Sequence, residues 1–210
     1  MIISHHHKFI FVAIPKTATH AIREAIRPRL QQYDWEQCWL FEKKTFPINR
    51  LAAIPHGHFT CEQIQPYFPN GTWSKYFKFC FVRNPYDRFL SFCHFYFKEK
   101  MNDNPQELML KIFEEPKGLL TTNVLLKPQY QFVFDKDLNY LVDFVGKFED
   151  IANDFEIIKQ KLGIPFNSLK VKNASQNKKK TLYPIIGQYI EEYYSLDLQL
   201  FNYSKKFYYE

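Results

Sequence analysis

The stretch FIFVAIPKTATHAIREAI, residues 9 to 26, constrains the fold more than any other part of this chain. Residues 9 to 14 are a continuous apolar run, the pattern of a strand buried on both faces of a parallel sheet. Pro15 ends the run, and a short turn of Lys16, Thr17, Ala18 and Thr19 leads directly into a helical pattern. Ala21, Ile22, Ala25 and Ile26 fall on one helical face, with Arg23 and Glu24 on the other. A strand that turns sharply into a helix aims backbone N–H groups and the positive end of the helix dipole at whatever lies above the turn. Lys16 adds a full positive charge. Residue types alone therefore describe a cradle for a phosphate-like anion. The glycine-rich loop GxxxxGK[ST] is not the pattern here, because the lysine follows the strand almost at once and no glycine precedes it.

A second strand-to-helix junction lies in FCFVRNPYDRFLSFCHFYF, residues 79 to 97. The run from Tyr76 to Val82 reads as a buried strand that delivers Arg83 to the carboxyl edge of a sheet, where open α/β folds bind ligands. Asn84 suits the helix N-cap, Pro85 the first helical position and Asp87 the first turn. Arg83 and Ser91 form a pair able to hold one phosphate, by a charged fork and a hydroxyl hydrogen bond. A third stretch, His56-Gly57-His58-Phe59, sets two histidines around a glycine. A neutral imidazole is the usual general base near physiological pH. By themselves these residues also allow a structural pair or two zinc ligands, although no third ligand stands at a recognisable spacing.

Strand-PKT-helix followed by strand-RNPYDRxxS-helix resembles the paired signatures of sulfotransferases that use 3′-phosphoadenosine 5′-phosphosulfate (PAPS). It is most similar to the carbohydrate sulfotransferases of family 2, which include heparan sulfate 2-O-sulfotransferases and bacterial relatives. Pro128-Gln129-Tyr130 with Phe132, VGKFED at 145 to 150, Asn173-x-Ser175 and YYSLDLQLFNY at 193 to 203 extend the likeness over most of the chain.

The resemblance implies that Lys16, Thr17, Ala18, Thr19 and His20 bind the 5′-phosphosulfate. It implies that Arg83 and Ser91 bind the 3′-phosphate, and that Ser175 or Asn173 closes over the nucleotide. His58, with His56 as second choice, becomes the base, and Lys16 the group that meets charge on the leaving phosphate. The chain departs from the family pattern where Thr19, His20 and Ala21 replace Gly or Ser, Thr, and Ser, so an imidazole stands in place of a hydroxyl at position 20. The product would be adenosine 3′,5′-bisphosphate, no metal would be needed, and the acceptor would be a carbohydrate or glycoconjugate. The alternatives are a Mg-dependent P-loop-type kinase and a non-catalytic binder of anionic glycan or nucleic acid. Against the kinase, the second strand delivers an arginine rather than a metal-binding aspartate.

The expected architecture is α/β, a P-loop-like sulfotransferase fold with a central, mostly parallel sheet flanked by helices and one domain over 1–210. With 22 Phe and 14 Tyr, much of the aromatic content must be core. The net charge of +6 favours anionic ligands without choosing among them. Cys38, Cys61, Cys80 and Cys93 show no paired spacing and read as reduced thiols. The chain contains no apolar run long enough to cross a membrane and no signal-peptide pattern at its start. The expected location is therefore cytoplasmic, as in a bacterial-type soluble enzyme, with any membrane association made through the acceptor.

Further expectations are a short helix near 34 to 41, a strand at 51 to 54, and a helix capped by Thr60 from 61 to about 68. Further along come a helix at 106 to 114, a helix then an extended piece over 121 to 134, and a last strand at 141 to 148. A helix at 149 to 162 closes on Gly163, a cationic loop spans 172 to 181, and one amphipathic helix runs from 185 to about 201. His5, His6 and His7 read as a polar lead-in to the first strand.

Overall fold

The computed structural model describes residues 1–37, 46–69, 71–114, 118–170 and 182–205. The chain divides into two compact units, Met1–Val82 with Gln131–Val171, and Arg83–Tyr130 with Lys172–Glu210.

The first unit is built on a five-stranded sheet. Its strands are β1 (Ile2–Ser4), β2 (Phe9–Val12), β3 (Trp35–Glu36), β4 (Phe77–Val82) and β5 (Phe144–Lys147), in the order β3-β1-β2-β4-β5. β2 pairs parallel with β4, Val12 opposite Cys80, and β4 pairs parallel with β5, Val82 opposite Lys147. β1 is antiparallel to both β2 and β3. Four of the five strands therefore point the same way, as the sequence led us to expect. Parallel pairing sets the carboxyl ends of β2, β4 and β5 on one edge, and the two signature loops leave from the first two of these.

Both faces of the sheet are covered. Phe9, Phe11, Phe79 and Phe81 pack with Ile22, Ala25 and Ile26 of α1 (Thr19–Ile26) and with the apolar side of the C-terminal helix of this unit. On the other face Ile3, Ile10, Val12 and Cys80 are fully buried as well. The continuous apolar run of β2, and that of β4 interrupted only by Lys78, follow from this double cover. The flanking helices are α2 (Asn49–Ala52), α3 (Cys61–Ile64) and α8 (Ile151–Leu162). Thr60 caps α3 through a full capping box with Gln63. Gly163, at φ 64, closes α8 as its left-handed C-cap.

The second unit packs α4 (Pro85–Tyr96), α5 (Pro105–Glu114) and α9 (Pro184–Tyr193) around a core that includes Phe89, Phe92, Met109, Ile112, Ile186 and Ile190. Short helices α6 (Leu119–Thr122), α7 (Tyr130–Val133) and α10 (Ser195–Leu200) complete the chain. The Asn84 Oδ1 accepts from Tyr86 N, and Pro85 takes the first helical position, as its sequence dictates.

Several local expectations are corrected. Residues 51 to 54 do not form a strand, since α2 runs through Leu51. Asn49 and Arg50 give the segment a helical start, and only Leu51 is buried. In place of a helix near 34 to 41 stands the short edge strand β3, and residues 38 to 45 lie outside the described residues. His5 to Lys8 turn the chain between β1 and β2, a strand pair the sequence reading missed. The segment 121 to 134 holds two short helical turns rather than an extended piece. The final helix is two, broken at Tyr194, where the backbone leaves helical geometry (φ −107, ψ 24).

Arg23, placed by periodicity on the polar face of α1, is 2 % exposed. Its Nη1 donates to Glu36 Oε1 at 2.9 Å, and Arg27 Nε donates to Glu36 Oε2 at 2.8 Å. Burial alone would raise the Glu36 carboxyl, but the hydrogen bonds and charges of Arg27 and Arg23 outweigh it and leave its pKa lowered. Glu36→Ala strands Arg23 in the interior and is expected to destabilise the protein by about 3–5 kcal/mol, measured by urea unfolding at pH 7.

Candidate active site

The loop after β2 is held in a strained shape. Lys16 (φ 66) and Ala18 (φ 62) both occupy the left-handed region, at a cost on the order of 1 kcal/mol each for residues with a Cβ. Between them Thr17 is fully buried, and its hydroxyl donates to Ile14 O at 2.8 Å. That bond braces the bend from inside, so what Thr17 has left to donate to a ligand is its backbone N–H. Alternating backbone conformations of this kind turn successive N–H groups into an anion-binding concavity. Ala18 at the N-cap of α1 has no side-chain acceptor for the first-turn N–H groups, and no acid stands in that turn. The loop thus fits a sulfate or phosphate group. His20 reaches solvent on the first turn. Crowding by surrounding protein, then the cations Arg23 and Lys16, lower its pKa, so near neutral pH it offers a neutral ring rather than a charge.

The His56-Gly57-His58 loop is fastened to the same place. His58 Nδ1 lies 2.7 Å from Ala13 O, one residue beyond β2. A carbonyl only accepts, so the proton sits on Nδ1 and the lone pair on Nε2. Burial lowers the pKa of His58 well below 6.5, and this outweighs the opposing pull of the Ala13 bond. His58 is therefore a neutral imidazole whose unprotonated Nε2 carries the lone pair. His56 is set up differently: its Nδ1 accepts from His58 N at 3.3 Å, which puts its own proton on Nε2. Of the two, His58 has the tautomer a base requires.

Three elements hold this loop. Gln37, fully buried after β3, donates from Nε2 to the carbonyls of Leu51, Ile54 and His56 at 3.0, 2.8 and 3.1 Å. Gly57 O accepts from Arg23 Nη2 at 3.3 Å and from the Met1 backbone nitrogen. A Cβ on Gly57 would meet Gln37 O at 1.8 Å, so only glycine fits between the histidines. Gln37, Arg23 and Glu36 escaped the sequence reading because each acts across a fold contact that no local spacing encodes.

In the second unit Arg83 follows β4 and is 7 % exposed. Its backbone N–H donates to Gln129 Oε1 at 2.9 Å, and its carbonyl accepts from Gln129 Nε2 at 2.8 Å. Ser91 is half-buried on α4. Gln129 and Asp197 belong to segments that stood out in the sequence without a role attached to either. Asn173 and Ser175 lie outside the described residues. Cys61, Cys80 and Cys93 are buried free thiols whose pKa burial pushes up, so none is set up as a nucleophile. Among the described residues no three His, Cys, Asp or Glu side chains converge as a metal site, and no helix is long and apolar enough to cross a membrane.

A family model described as the sulfotransferase family, of the family 2 type, matches residues 1–204 of the 210. The chain belongs to the sulfotransferase family. No curated protein and no solved structure matches it. The protein is thus a transferase for sulfuryl groups, and its mixed α/β architecture agrees with a sulfotransferase fold. Membership also decides against the kinase and the non-catalytic binder, the two alternatives the sequence left open.

In this sulfotransferase the tightest steric demand is at Gly57. Gly57→Ala is expected to lower stability by about 1–3 kcal/mol, as overpacked sites do. It should also displace His58, so a thermal melt will fall and the His58 ring resonances will shift by NMR.

Proposed function

We propose that this sulfotransferase moves the sulfuryl group of PAPS to a hydroxyl of a carbohydrate or glycoconjugate acceptor, with His58 as general base. The observation that supports this most directly is the His58 Nδ1 to Ala13 O hydrogen bond. It ties the imidazole to the strand end that carries the anion-cradling loop and leaves Nε2 able to take a proton.

In this reading the acceptor hydroxyl gives its proton to His58 Nε2 as its oxygen attacks sulfur in line. A new S–O bond forms, and the bond from sulfur to the 5′-phosphate oxygen breaks. The electron pair leaves with adenosine 3′,5′-bisphosphate. Lys16 and the backbone N–H groups of Thr17, Ala18, Thr19 and His20 stabilise the charge that develops on that phosphate. The family resemblance assigns the 3′-phosphate to Arg83 and Ser91, and closure over the nucleotide to Ser175. His56, whose Nδ1 holds the His58 backbone, serves to orient the base. In this reading no metal is needed, since Lys16 and the N-terminus of α1 would meet the charge on the leaving group. The carbohydrate nature of the acceptor rests on the resemblance to 2-O-sulfotransferases.

The test is transfer of labelled sulfate from PAPS to a panel of glycans. Labelled glycan supports the reading, whereas transfer only to non-sugar hydroxyls overturns the acceptor class. His58→Ala should lower kcat by about 10²–10⁴-fold, the usual contribution of a general base, with unchanged affinity for adenosine 3′,5′-bisphosphate. Near wild-type turnover in that variant sinks the base assignment. Lys16→Ala should lower kcat by about 10²–10³-fold and also weaken donor binding.

The pH profile has a defined direction. Only neutral His58 accepts a proton, and its pKa lies well below 6.5 in the folded protein. Activity should therefore persist as pH drops through 6.5. The acid limb of kcat/KM should have its midpoint below that value, measured with a stopped sulfate-transfer assay between pH 4.5 and 8.

A further inference from the structure

The second unit contains a network of buried charges and an amide that ends on Arg83, and none of the roles above uses it. Gln129 is fully buried, and its side-chain amide pairs with both backbone polar groups of Arg83, much as a neighbouring strand would. Gln129 is fixed in turn by Asp197 of α10, also fully buried. Asp197 Oδ2 accepts from Gln129 N at 2.8 Å and from Gln129 Nε2 at 3.4 Å, and Oδ1 accepts from Tyr130 N at 2.8 Å. The segment just before is pinned as well. Arg88 Nη2 donates to Leu125 O at 3.0 Å and Lys127 O at 2.8 Å, and Tyr194 Oη donates to Leu126 O at 2.7 Å.

A carboxylate fully removed from water is costly unless its oxygens are used. Here burial raises the Asp197 pKa, while the charge of Arg88 and the hydrogen bonds from Gln129 and Tyr130 oppose the rise. A loop needs far less than this to be ordered. All of these bonds converge on one segment, and the bonds of that segment's glutamine end on the backbone of a single arginine at the exit of β4.

We infer that Gln129, held by Asp197, is a positioning residue that sets the backbone of Arg83 and thereby its grip on the donor's 3′-phosphate. The inference rests on the reading of Arg83 as the 3′-phosphate ligand. Fixing both the N–H and the C=O of Arg83 leaves only side-chain torsions to be ordered when the phosphate arrives. Gln129 touches neither donor nor acceptor and acts only through Arg83.

The test compares binding of adenosine 3′,5′-bisphosphate and adenosine 5′-monophosphate to the full chain by calorimetry. The two nucleotides differ only in the 3′-phosphate. Wild type should prefer the bisphosphate, and Arg83→Ala should abolish the preference. Gln129→Met, which keeps the volume and loses both bonds to Arg83 together with the longer one to Asp197, should cut the preference about tenfold or more, the worth of one charge-assisted hydrogen bond, while leaving monophosphate affinity nearly unchanged. Asp197→Asn should act in the same direction with a smaller effect. If Arg83→Ala keeps the preference, the ligand reading of Arg83 is wrong. If Arg83→Ala loses it while Gln129→Met retains it, or weakens both nucleotides alike, the positioning role is wrong. A wild-type measurement covers variants that fail to fold. The bisphosphate, and not the monophosphate, should slow hydrogen exchange at the Arg83, Gln129 and Tyr130 amides, and equal exchange with both nucleotides overturns the inference.

Discussion

The first unit depends on an ion pair that sees almost no water. Arg23 and Glu36 are each 3 % exposed at the side chain and meet at 2.9 Å. Surface pairs contribute little, but a pair removed from water must be satisfied on every side or it destabilises the fold. Arg23 meets that condition by also donating to Met1 O and Gly57 O, and Glu36 by accepting from Arg27. One guanidinium therefore ties together α1, the residue that leads into β1, the edge strand β3 and the histidine loop. The orientation of His58 is inherited from this arrangement, because the loop that carries it has Gly57 at its centre.

The two units use the same device for different residues. In one, Gln37 spreads its amide over three carbonyls and fixes the histidine loop. In the other, Gln129 spreads its amide over the N–H and C=O of Arg83. A buried glutamine suits this work because it supplies two donors and an acceptor from one rigid plane, with no charge to desolvate. Side chains of functional interest then sit on backbone that has already been ordered by folding.

The sheet and its two signature junctions were legible in the sequence because they depend on local rules. Double-faced burial made β2 a continuous apolar run and β4 one interrupted only by Lys78, Thr60 announced a helix N-cap, and Asn84-Pro85 announced a helix start. What could not be read depends on tertiary contact. Periodicity sent Arg23 to solvent, and only a glutamate thirteen residues on, delivered by β3, explains its burial. The apolar run at 51 to 54 has the composition of a strand, but it pairs with no strand of the sheet and its start is taken up by α2. The candidate base was legible in the sequence, with His58 ranked before His56, yet the tautomer of His58 depends on the Ala13 carbonyl, 45 positions away.

The bend made by Lys16 and Ala18 has a kinetic consequence. Glycine loops of similar length wander among many shapes and must be caught in the right one by their ligand. Here side chains bearing a Cβ, with Thr17 anchored inward between them, leave the segment few other shapes to visit. If the loop takes the donor as proposed, the anion meets a receptor already formed, and its capture is governed by diffusion and the attraction of Lys16 rather than by rearrangement of the polypeptide.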